Sequence, residues 1–132
     1  MPANTTPIFT LTPNIGKGSV STANTNRDGT GTIATIFTAG ANGSKISEID
    51  IMASSDPADS TVVFYLYDGS TYYPIDEWDI GNPAAGSATV ASYNEKRTFA
   101  NLVLPTGWSL RASITAALTA GVLYIVALGG DY

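Results

Sequence analysis

Ser60 to Ile80 reads STVVFYLYDGSTYYPIDEWDI. Side chains on a strand alternate between its two faces, so Val62, Phe64 and Leu66 share one face and Val63, Tyr65 and Tyr67 the other. Both sets are apolar or aromatic, which predicts an interior strand covered on both sides. Asp68-Gly69 is a strong turn signal because glycine adopts positive φ without penalty. The chain then runs through a second extended segment, Tyr72 to Ile80. The unit predicts a β-hairpin with Asp68-Gly69-Ser70-Thr71 at its tip.

The same alternation recurs on either side. Thr30–Ala39 is strand-like, with Ile33, Thr35 and Phe37 on one face. Ser47, Ile49, Ile51 and Ala53 alternate with Glu48, Asp50 and Met52, the mark of a strand buried on one face. Arg97–Leu104 places Phe99, Leu102 and Leu104 in a strand. Trp108, Leu110, Ala112 and Ile114 alternate with Ser109, Arg111 and Ser113, and Val122–Leu128 is apolar on both faces. Thr89–Lys96 has no clear period, and Thr115–Ala120 reads as a loop between strands. With Ile8–Leu11, these make about eight short strands punctuated by Gly, Pro, Asn and Asp, and no amphipathic helix.

That pattern predicts an all-β, antiparallel β-sandwich, jelly-roll-like by strand count. An immunoglobulin-like sandwich is the alternative. Phe64, Leu66, Trp108, Leu110, Ile125 and Ile51 are the expected core. Residues 28–132 form the expected sandwich domain. Residues 1–27, with Pro2, Pro7 and Pro13, read as an extended N-terminal arm whose Ile8, Phe9 and Leu11 are candidate partner-binding residues.

Composition narrows function mainly by exclusion. At 132 residues the chain is one domain. It has no Cys and no His, which removes disulfides, thiolate chemistry and the commonest general base and metal ligand. The net charge is −5 with six Lys and Arg, so a basic footprint for nucleic acid is missing. No apolar run approaches a membrane helix, and MPANTTPIFT has neither the basic nor the apolar region of a secretory signal.

Three local clusters invite chemistry. Asn24-Thr25-Asn26-Arg27-Asp28-Gly29 matches the opening of a calcium loop, but Thr35 stands where the closing Glu belongs, and an Asx-rich turn is the simpler reading. Asp76, Glu77 and Asp79 resemble the acid and base of a glycosidase, yet only Glu77 and Asp79 can share a face. Tyr72, Tyr73 and Trp78 could stack on a sugar or fill a core or subunit interface. The reading is therefore no catalytic residues, no cofactor and no metal.

Several stretches carry a resemblance. Thr25–Ile51, TNRDGTGTIATIFTAGANGSKISEIDI, stands with VVFYLYDGSTYY (Val62–Tyr73), LVLPTGWSLRASI (Leu102–Ile114) and the terminal ALGGDY. Together they resemble a family of small structural proteins from the virion gene clusters of tailed bacteriophages and prophages. The resemblance implies a non-enzymatic particle component made in the bacterial host cytoplasm. It implies a capsid decoration (cement) protein on the capsid exterior, bound to the major capsid protein as a homotrimer or other small homo-oligomer. A tail or fibre component is the neighbouring reading, and a lectin-like carbohydrate-binding module is the third. Nucleic acid and membrane are not expected partners.

Overall fold

The computed structural model describes residues 9–132. Eight strands follow one another: β1 (Thr12–Val20), β2 (Ala34–Thr38), β3 (Ser44–Ala53), β4 (Ser60–Tyr67), β5 (Tyr72–Gly81), β6 (Asn94–Leu104), β7 (Ser109–Ile114) and β8 (Leu123–Asp131). They form two four-stranded antiparallel sheets, ordered β1-β8-β3-β6 and β2-β7-β4-β5. The β4–β5 hairpin is the one place where consecutive strands are paired. Every other connection leaves one sheet for the other, which is the double Greek key of a jelly roll. In an immunoglobulin-like sandwich the first two strands lie side by side; here β1 and β2 belong to opposite sheets.

The core fills the space between the sheets. Phe64, Leu110, Ile125 and Ile51 are buried there as expected, with Ile46, Ile49, Trp78, Leu104 and Ile114. Leu66 and Trp108 are half-buried and pack against that core. A bulge in β2 interrupts the alternation read over Thr30–Ala39: Thr35 pairs with Arg111 and Phe37 with Leu110. Ile36 and Phe37 are consequently both buried.

Of the stretch read as an arm, residues 12–20 are strand β1, paired with β8 from Thr12↔Asp131 to Val20↔Leu123. Ile8 lies outside the described residues. Gly16 and Gly18 explain why this strand is hard to read: their faces turn inward against β2, where a side chain would normally advertise the core. A Cβ on Gly16 would stand 2.7 Å from the Phe37 Cα, and one on Gly18 2.9 Å from the Thr35 carbonyl oxygen.

Strand β4 is covered on both sides. Its outer face lies under residues 21–33, which connect β1 to β2 across the second sheet. Asn24 anchors that connection: its backbone N–H donates to the Ile114 carbonyl at 2.8 Å. Its side-chain amide donates to Thr30 O at 2.9 Å and Thr32 O at 3.0 Å. The Tyr65 hydroxyl donates to Asn26 O at 3.0 Å, Tyr72 packs on Gly29, and Arg27 pairs with Glu77. Val63 and Tyr65 are fully buried as a result.

One polar clasp ties the C-terminal strand to β1 and β3. Ser44 Oγ donates to Asp131 Oδ1 at 2.5 Å, and Asn14 Nδ2 donates to the same oxygen at 2.8 Å. These bonds, Ser44 first, hold the Asp131 carboxyl below its ordinary value of 3.8. Asp28 and Asp68 are lowered in the same direction, by Thr30 and by the Thr71 and Ser70 N–H groups. A carboxyl depressed on folding stabilises the fold above its unfolded value, and that contribution is lost as pH falls through the folded value. We expect the melting temperature to hold down to about pH 4 and fall below it. Asp131→Ala should lower it at neutral pH and flatten its fall in acid, as read by thermal denaturation across pH.

Candidate interaction surface

The two sheets differ in what covers their outer faces. On the face of β2-β7-β4-β5 residues 21–33 cover β4 and reach Tyr72 and Glu77 of β5, while on the face of β1-β8-β3-β6 the described chain places only Thr10, over Gly130. The register assigns that bare face row by row. Ile15, Leu128, Glu48 and Thr98 lie side by side, then Lys17, Val126, Asp50 and Lys96, then Ser19, Tyr124, Met52 and Asn94. The apolar members form a stripe across the middle. Ile15 is 64% exposed, Tyr124 53% and Met52 52%, and Val126 and Leu128 are half-exposed between them. Apolar side chains contiguous on a sheet surface mark a contact site more often than a solvated wall.

Polar groups frame the stripe. Lys96 Nζ pairs with Asp50 Oδ2 at 3.2 Å. Asp50 Oδ1 is enclosed and has no hydrogen-bond partner. At the end of this face, Asn42, Gly43, Val103, Leu104, Pro105 and Tyr132 line an open, mainly apolar groove of about 540 Å³. The start of the described chain lies nearby: Leu11 N–H donates to Asp131 O at 2.7 Å, and Tyr132 N–H to Gly43 O at 3.1 Å. Phe9 and Leu11 are 73% and 82% exposed.

The structure separates the three aromatics read as a possible platform. Tyr72 faces outward, with its ring 4.3 Å from Tyr67 and its hydroxyl accepting from Arg111 Nη1 at 3.1 Å. Tyr73 lies on the opposite face, 45% exposed and stacked on Trp108 at 6.1 Å. Trp78 is fully buried in the core. Its ring lies 4.7 Å from Phe64, with Arg97 4.5 Å over it, and its Nε1–H donates to Asp76 Oδ2 at 2.7 Å. A bulge at Ile75 sets this arrangement, since Tyr65 pairs with Pro74 and Phe64 with Asp76. Trp78 is thus not available as a sugar platform or a surface contact in this fold. The alternation of Asp76, Trp78 and Ile80 against Glu77 and Asp79 carried that signal in the sequence.

The remaining clusters resolve into local structure. Glu77 and Asp79 share the outer face of β5, but Glu77 pairs with Arg27 and Asp79 accepts from Gly81 N–H at 3.1 Å. The Asn24–Gly29 loop is Asx-turned: Asn24 Oδ1 accepts from Asn26 N–H at 3.0 Å, and Asp28 Oδ1 from Thr30 N–H at 3.0 Å. Among the described residues no group of three acidic side chains converges as a metal site would need. Sequence reasoning missed the bare face because its stripe is drawn from three strands far apart in the chain. The alternation of Met52 with Ile49 and Ile51 in β3 was the available signal.

No protein-family model matches the chain, and no curated protein does. Among solved structures, a chain of the acidic stable capsid structure of the Helicobacter pylori bacteriophage KHP30 matches with a TM-score of 0.56 and 11% identity. The match covers 92% of this chain and 88% of that one. A chain of the cyanophage Pam1 capsid asymmetric unit matches with a TM-score of 0.45 and 15% identity, over all of this chain and 94% of that one. At such identities the likeness to the first is one of fold, and what it shows is that this jelly roll is also the fold of a chain in a phage capsid structure.

Proposed function

We propose that this chain is a non-enzymatic structural protein of a tailed-bacteriophage virion, a decoration (cement) protein seated on the capsid exterior. Its partner is the major capsid protein, and it acts as a small homo-oligomer, a trimer being the expected form. The observation that carries the reading is the apolar stripe left open on one sheet face among the described residues, while the segment 21–33 covers β4 on the other face. A protein that binds by one broad surface needs no pocket chemistry, and none of the carboxylates is arranged as an acid–base pair. The phage-capsid likeness in fold supports the class of protein without fixing its role. Phe9 and Leu11 extend the contact surface beyond the sandwich, where burying each would contribute roughly 1.5–3 kcal/mol.

Copy number on purified particles tests this. Quantitative mass spectrometry of virions should find the chain in a fixed ratio to the shell protein. A few copies per particle would instead assign it to the tail or a fibre, and absence from the particle would overturn the reading.

A further inference from the structure

The charge of this molecule is divided unevenly between its surfaces. It has three lysines in all, Lys17, Lys45 and Lys96. The register puts every one on the bare face of β1-β8-β3-β6: Lys17 and Lys96 flank Val126 and Asp50, and Lys45 stands between Gly130 and Val103. Only Glu48 and Asp50 oppose them there, so the face is net +1. The rest of the chain holds three arginines against nine carboxylates, a net −6, in a protein of −5 overall.

Resting on the reading above, we propose that this face is the shell-binding face, and that its counterpart is a protein surface carrying carboxylates around an apolar centre. Leu128, Val126 and Tyr124 on β8 and Met52 on β3 lie between Lys17 on edge strand β1 and Lys96 on edge strand β6, with Ile15 beside Lys17, so lysines stand at both edges of an apolar centre, as at an interface core with a polar rim. Opposite-sign rims steer docking and fix its register. The composition argues against other anionic partners. A phosphate backbone calls for a cluster of cations without carboxylates among them, whereas Asp50 and Glu48 lie between these lysines. A second copy is disfavoured by the same charges. Face-to-face pairing would set one cationic rim against another, and docking this face on the acidic remainder of a copy is a head-to-tail contact that need not close. Asp50 Oδ1, enclosed and lacking a donor, would receive one from the partner.

Because all three lysines share the face, amine acetylation reads its occlusion directly. Free protein and protein on intact virions are treated with an N-hydroxysuccinimide acetate, and Lys17, Lys45 and Lys96 are quantified by mass spectrometry. Labelling of Lys17 and Lys96 should fall several-fold on the particle. A carbodiimide should then join them to Asp or Glu side chains of the shell protein. If the chain is present on virions but its lysines label as in free protein, the face assignment fails while the virion reading stands. If the chain is missing from virions, the reading itself fails. Protection that appears in free protein as its concentration rises, or carbodiimide links to this chain's own carboxylates, would make the face a self-contact and overturn the proposal.

Discussion

Trp78→Ala should cost about 3–5 kcal/mol, the range for removing a large core aromatic. That is a large part of the 5–15 kcal/mol that typically separates a folded domain from its unfolded chain. Three terms add here. The ring is fully buried and meets Phe64 at 4.7 Å, so its loss leaves a void the two sheets cannot close without moving. Its N–H satisfies Asp76 Oδ2, and its face lies under Arg97. Asp76 and Arg97, 3.3 Å apart, would keep each other as partners but lose the apolar surface that shields them. The melting temperature should fall by on the order of 10–20 °C for a domain of this size. Trp78→Phe separates the terms: it keeps most of the packing and loses the hydrogen bond, so its cost should be closer to 1–3 kcal/mol. Urea unfolding of the three proteins checks both numbers. If Trp78→Ala melted within a few degrees of the parent, the burial of this ring could not be what holds β5 to the core.

The all-β class and most of the strands were legible because a strand writes its burial into the chain with a period of two. β3 and β7 announce themselves that way, β4 and β8 by short runs apolar on both faces, and Asp68-Gly69 fixes the hairpin. Three features escaped for identifiable reasons. β1 turns Gly16 and Gly18 toward the core, and an inward glycine has no side chain to betray it. The bulges in β2 and β5 break the period, so a reading that counts by twos misassigns Ile36 and loses Trp78. The bare face is a property of register across β1, β8 and β3, and register between distant strands is set by packing that no single stretch contains. What the alternation does contain is the side of each position, so Met52, set with Glu48 and Asp50 opposite Ile49 and Ile51, was already legible as an outward-facing apolar residue.

The second large effect concerns β1. The division of the chain into an arm over 1–27 and a sandwich over 28–132 predicts that a protein beginning at Ser21 stays folded. The pairing in the structure makes a different outcome the expected one. Removing residues 1–20 takes away a strand nine residues long, and with it the ladder to β8 from Thr12 to Val20. β8 would become an edge whose N–H and C=O groups have no partner, an invitation to pair with another chain. The inward faces of Ile36 and Phe37, which now lie against Gly16 and Gly18, would meet water. Val20 would leave the core, and Asp131 would lose the Asn14 half of its clasp. We therefore expect the shortened protein to be poorly soluble or to melt tens of degrees lower, by circular dichroism and size exclusion. A shorter deletion isolates the exposed apolar tip. A protein beginning at Thr12 keeps every described strand and loses Phe9 and Leu11 with the residues before them and the Leu11 N–H bond to Asp131 O, so its melting temperature should fall far less than that of the protein beginning at Ser21 while any contact those residues make on the particle is lost. If the protein beginning at Ser21 matched the parent in melting temperature, β1 would be an accessory strand and the arm would extend to Arg27 as its composition suggests. If it unfolds while the protein beginning at Thr12 does not, the folded unit begins at β1.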